Sequence, residues 1–101
     1  MIIQILGDAE KDLIDGFNFY ESQESGLGDY FIDTLFSDID SLHLYAGIHP
    51  IRFNYHRVLS QRFPFAIYYE LNGDTVKIWA VLDCRRNPVS TEKRLENLEL
   101  R

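Results

Sequence analysis

The chain has 101 residues, enough for one domain with a real core (1–101) and too few for two. With 46% hydrophobic and 26% charged residues it is neither disordered nor fibrous, and its apolar runs reach about half a membrane span or less. The net charge of −6 is unevenly divided: residues 1–51 hold ten acids and one base, Lys11, whereas residues 52–101 hold nine bases and six acids. Such an opposition marks either two surfaces that meet different partners or a solvated acidic face on helices.

In chain order, Ile2, Ile3, Ile5 and Leu6, stopped by Gly7-Asp8, read as a first strand. The stretch has neither a basic start nor a long apolar region, so no secretory leader is expected. Asp8 reads as a helix N-cap, with Glu10 and Asp12 favourably placed against the dipole of the first turn. Leu13, Ile14, Phe17 and Tyr20 then give an amphipathic helix, which Ser25-Gly26-Leu27-Gly28 breaks with Gly26 just past its end. Phe31, Ile32, Leu35, Phe36, Ile39 and Leu42 form the stripe of a second helix, with Asp29, Asp33, Asp38 and Asp40 on its other faces. Two helices joined this closely predict an antiparallel hairpin, ended by Ala46-Gly47-Ile48-His49-Pro50.

After Pro50 the period becomes two. Phe53, Tyr55, Arg57 and Leu59 alternate with Asn54, His56, Val58 and Ser60, a strand with one wetter face. Phe65 to Leu71 reads as a central strand, and Asn72-Gly73 as a tight hairpin turn. The returning strand puts Val76, Ile78, Ala80, Leu82 and Cys84 on one face and Lys77, Trp79, Val81 and Asp83 on the other. Beyond Pro88, Leu95 and Leu98 outline a weakly amphipathic C-terminal helix within residues 89–101. The predicted fold is α+β, in the order β-α-α-β-β-β, with the helical hairpin packed on one face of a mainly antiparallel four-stranded sheet. The opposite face is expected to be concave and partly basic.

One cysteine cannot form an internal disulfide and fits a reducing cytoplasm. One Cys and three scattered His (His43, His49, His56) lack metal-ligand spacing, so neither a metal nor a cofactor is expected. Cys84, Phe63, Phe65, Tyr68 and Tyr69 read as packing residues. Arg57 interrupts an otherwise apolar alternation. Arg85 and Arg86, adjacent at a strand end, must leave opposite faces, so that one pairs internally with Asp83 or the acidic helices and the other stays available.

The segments "GLGDYF", "YHRVLSQRFPFAIYYE" and "AVLDCRRNP", in this order within a span from about residue 9 to 94, resemble the RelE/ParE superfamily of toxins from type II toxin–antitoxin modules. The resemblance implies the same β-α-α-β-β-β fold, growth arrest, plasmid stabilization and neutralisation by a cognate antitoxin. It also implies one of two targets, because some members cut messenger RNA on the ribosome whereas the ParE branch poisons DNA gyrase by binding. Ribonuclease members tend to carry an arginine in the central strand, where this chain has "FPFAIYY", and no Tyr or His follows Arg86 in "NPVSTEKRL". Net acidity also disfavours lying against ribosomal RNA. The ParE-like reading is therefore preferred, with Arg57, Arg62, Arg85 and Arg86 as target- or antitoxin-binding residues and no sequence-specific DNA binding by this chain alone. The first alternative is an endoribonuclease using His56, Arg57, Arg85 and Arg86, with His56 as base. A non-toxic relic that keeps only antitoxin binding is the other.

Overall fold

The three-and-four spacing of the second helix is realised in the computed structural model, which describes residues 1–99: Phe31 and Leu35 are 0% exposed and Ile39 3%, while Ile32 is half-buried and Phe36 lies exposed. Strand β1 (Ile2–Ile5) leads into α1 (Gly7–Gln23), α2 (Leu27–Asp40) and a single helical turn, α3 (Leu42–Tyr45). Helix α1 starts one residue before the expected cap: Leu6 occupies the N-cap position with no side-chain cap, and Asp8 and Glu10 lie inside the first turn. The helices approach closely because Gly16 lets the Phe31 ring lie on the α1 backbone; a Cβ there would meet Phe31 Cζ at 2.5 Å. At the break, Gly26 adopts φ 90° as the residue preceding α2, rather than directly ending α1. The Glu21 carboxylate accepts the amides of Gly26 (3.0 Å) and Gly28 (2.9 Å), which locks the turn.

The sheet has the order β1-β5-β4-β3-β2, built from β2 (Ile51–Arg52), β3 (Tyr55–Leu59), β4 (Phe65–Asn72) and β5 (Thr75–Asp83). Strand β1 runs parallel to β5 and the other pairs are antiparallel. The fifth strand, beyond the four expected, is the two-residue β2. It joins β3 through Phe53 and Asn54, both at positive φ (55° and 72°), so Phe53 lies in a turn and not in the strand. Left-handed backbone at both central residues twists with the flanking strands, but Phe-Asn lacks the glycine that normally marks such a turn. The β4–β5 loop is Gly73-Asp74, one residue later than expected, since Asn72 already pairs with Thr75.

A bulge corrects the reading of β5. Tyr68 opposes Ala80 and Tyr69 opposes Ile78, leaving Trp79 as an extra residue. Val76 and Ile78 therefore pack under the helical hairpin, whereas Ala80 and Leu82 turn to the other face. That other face is not an open basic surface. Helix α4 (Pro88–Glu99) covers much of it, with Leu95 (0% exposed) and Leu98 (4%) against Tyr55, Ala66, Tyr68, Ala80 and Leu82. Pro88 suits a first helical position, and Asn87 Oδ1 accepts the Val89 amide at 2.8 Å as a cap.

Helix α4 is also tied around the sheet edge. Strand β1 ends at Ile5, opposite Ile78, so the Val81 amide lies beyond its reach. Asp12 of α1 accepts that amide at 3.0 Å and receives the Arg94 guanidinium at 3.0 and 2.8 Å. Burial raises the Asp12 carboxyl above the usual carboxylate range despite these partners. One carboxylate thus joins α1, β5 and α4. Among the described residues, no helix is long and apolar enough to cross a membrane.

Candidate anion-binding site

The end of β5 separates its two arginines. Arg85 folds back onto Asp83, with Nε 3.0 Å from Oδ1 and Nη2 2.7 Å from Oδ2, while its own amide donates to Oδ1 at 2.8 Å. This fork holds the Asp83 carboxyl below its ordinary range, with the hydrogen bonds from Arg85 outweighing partial burial. Arg86, its amide 3.2 Å from the Asp83 carbonyl, lines a small pocket beside the strand.

The pocket, of about 90 Å³, lies between the β2–β3 turn and the first turn of α4, and Arg52, Phe53, Arg57, Tyr68, Arg86 and Thr91 line it. Arg57 stands directly opposite Tyr68 in the β3–β4 register. Its Nε is buried and has no hydrogen-bond partner among the described residues. The Arg52 guanidinium lies 5.3 Å from the Phe53 ring centroid, so the left-handed turn that shapes β2 also brings Arg52 to the rim. The described ion pairs involve Asp40–His43, Asp83–Arg85 and Asp12–Arg94, and none involves Arg52, Arg57 or Arg86. Three arginines thus line one slot; Asp83 in its wall is engaged by Arg85, and Arg86 also interacts with Asp83 and Asp12. The arrangement can bind an anion.

The other candidates lie elsewhere. His56, next to Arg57 in β3, necessarily faces the opposite side of the sheet. Its ring stacks on Tyr69 (4.9 Å, 19°) and its Nδ1 donates to the His49 carbonyl at 2.8 Å. The wholly buried Tyr69 accepts the Gly47 amide at 2.9 Å, and its hydroxyl pairs with His49 Nδ1. This cluster pins the segment between α3 and β2. Arg62 is on the helical-hairpin side, donating to the Tyr30 hydroxyl at 2.9 Å beside Asp33, Ser37 and Asp38. Cys84 is exposed and lines the arginine pocket, which corrects its reading as a core residue; its amide donates to the Pro64 carbonyl at 2.7 Å. Sequence reasoning missed Arg52 because nothing in "IRFNY" announces a left-handed turn.

The histidine cluster makes stability depend on pH. Burial, and then the neighbouring His56, depress the His49 pKa below 6.5, so the unfolded chain takes up this proton more readily than the folded one. The contribution is fully present above the unfolded value and is lost as pH falls through the folded one. Urea midpoints should therefore drop between about pH 7.5 and about pH 5.5, with a shallower slope in His49→Gln. An equal slope in the variant would remove His49 as the cause.

No family model matches the chain, and no curated protein matches it. Among solved structures, a chain from the chromosomal ParDE TA system of P. aeruginosa shares the fold, with a TM-score of 0.66 over 80% of this chain and 92% of that one, at 15% sequence identity. The likeness is one of fold, and it is the fold that the RelE/ParE resemblance implied.

Proposed function

We propose that the chain is the toxin of a type II toxin–antitoxin module, acting in the cytoplasm by binding its target and neutralised by a cognate antitoxin, with DNA gyrase as the target. The fold shared with a ParDE chain supports the class of protein. The observation that favours binding over RNA cleavage is the separation of His56 from the arginines. An acid–base mechanism needs a proton-transfer group within hydrogen-bond reach of the phosphate held by the cations. His56 instead lies on the far face, committed to Tyr69 and the His49 carbonyl.

The arginines divide into two patches on different faces. In this reading Arg57 and Arg86 meet the target in the pocket, with Arg85 pairing the Asp83 carboxylate in its wall. Arg62, on its shelf with Tyr30, meets the antitoxin.

The test is a gyrase supercoiling and DNA-cleavage assay with the intact protein, with and without the antitoxin encoded beside it. Stabilised cleavage complexes that the antitoxin abolishes are the expected result. Growth arrest by the chain with gyrase unaffected would overturn the gyrase target, and no growth arrest from folded protein would overturn the toxin reading itself.

A further inference from the structure

We propose that the pocket formed by Arg52, Arg57, Arg86 and the first turn of α4 is a receptor for a phosphate monoester, which it binds as the dianion and does not cleave. The proposal goes beyond the toxin reading and does not depend on it.

The charge count comes first. Arg52, Arg57 and Arg86 bring three positive charges; Arg85 is forked onto Asp83, although Arg86 also interacts with Asp12 and lines a second cleft beside Asp12 and Asp15. Pro88 and Thr91 place the beginning of α4 in the wall, where its dipole adds roughly half a positive charge. A carboxylate is satisfied by one guanidinium fork, and an internal diester also carries a single charge. A terminal phosphate near neutral pH carries about −1.5 to −2 and three acceptor oxygens, and so comes closest to balancing the site.

Size and valence agree. The slot, of about 90 Å³, has room for one phosphoryl group. The β2–β3 turn and α4 wall the slot on two sides, which suits a group that enters by its end better than a chain that must pass through. Arg57 lines the slot, and its buried Nε–H has no partner among the described residues, so its guanidinium keeps unused donor capacity beside the ligand. His56, next to Arg57 in the chain, is committed to the His49 carbonyl on the other face of the sheet, which favours binding over cleavage.

The experiment is a titration of the intact, nitrogen-15-labelled chain, following the arginine Nε–H signal of Arg57 and the backbone amides of Arg86 and Thr91. The probes are inorganic phosphate, methyl phosphate, dimethyl phosphate and acetate at constant ionic strength. Phosphate and methyl phosphate should produce saturable shifts, with dimethyl phosphate and acetate weaker by roughly tenfold or more. Affinity for methyl phosphate should fall as pH drops through its second ionisation, near about 6. Arg57→Ala should abolish the response, Arg86→Gln should weaken it by roughly tenfold, and Lys11→Ala should leave it intact.

Equal binding of dimethyl phosphate would overturn the monoester assignment in favour of an internal backbone phosphate. Equal binding of acetate would reduce the pocket to a general anion site, and an unmoved Arg57 Nε–H would remove the site. Should Arg57→Ala unfold, the pH dependence and the Arg86→Gln comparison decide the matter alone. A chain that binds methyl phosphate but leaves growth unaffected keeps this inference and loses the toxin reading; the converse result loses only this inference.

Discussion

Replacing Phe31 with Ala is expected to lower folding stability by about 3–5 kcal/mol, within the range for deleting a buried aromatic. Phe31 is 0% exposed and lies 5.2 Å from Tyr20, 5.2 Å from Phe63 and 5.0 Å from Phe65, centroid to centroid. Two of these contacts are edge-on, the favourable arrangement for rings with negative faces and positive edges. The ring therefore joins α2 to α1 through Tyr20 and to the start of β4 through Phe65, with Gly16 as the floor beneath it. No neighbouring side chain is placed to fill the void, because the floor is a glycine and the walls are rings held by one another. Phe36→Ala is the internal control: Phe36 is 45% exposed on the same helix, and its loss should cost under about 1 kcal/mol. Urea unfolding followed by circular dichroism checks both. A loss below about 1.5 kcal/mol for Phe31→Ala would mean that the cluster collapses onto the gap and is not the keystone of the hairpin–sheet contact. Since domains of this kind are stable by only about 5–15 kcal/mol, growth assays on core variants would report folding rather than target binding.

The contrast between Phe31 and Arg52 shows which parts of the molecule were legible in the sequence. A helix repeats its signal: Phe31, Leu35 and Ile39 each restate the same face, so the stripe survives the exposure of Phe36. The central strands were legible for the same reason, through Phe65 to Leu71. A single-residue irregularity has no such redundancy. Trp79 is an ordinary strand residue by composition, yet as the bulge it moves Ala80 and Leu82 to the face opposite Val76 and Ile78. Covering that face then fell to Leu95 and Leu98, two leucines too sparse to define a stripe, and α4 closes what looked like an open basic surface. The arginine pocket depends on both irregularities. Arg57 was legible because it broke an apolar alternation, and Arg85 and Arg86 because adjacent strand residues diverge. Arg52 was not, since its position rests on Phe53 adopting, beside Asn54, a left-handed conformation that a bulky side chain disfavours.

If the pocket meets the target, Arg57→Ala and Arg86→Ala should each weaken gyrase binding by about 2 kcal/mol, roughly 30-fold, as for arginine anchors desolvated at an interface. Arg62→Ala, on the other face, should leave gyrase poisoning within about 0.5 kcal/mol of the parent and weaken antitoxin binding instead. Arg85 should behave differently from both. Its guanidinium is occupied by Asp83, so it has little capacity for a partner of its own. Removing it frees the Asp83 carboxylate, which lines the same pocket as Arg86 and interacts with its charge. Arg85→Ala should therefore cost several-fold in binding through Asp83, and the double variant Asp83→Asn with Arg85→Ala should recover most of it. That recovery separates a positioning residue from a contact residue, because a lost contact would not return when the neighbouring charge is removed. Titration of each purified variant against gyrase, with its circular dichroism spectrum as a check on folding, gives the full set. Equal losses for Arg62→Ala and Arg57→Ala would merge the two patches into one interface. Failure of the double variant to recover would place Arg85 in direct contact with the partner.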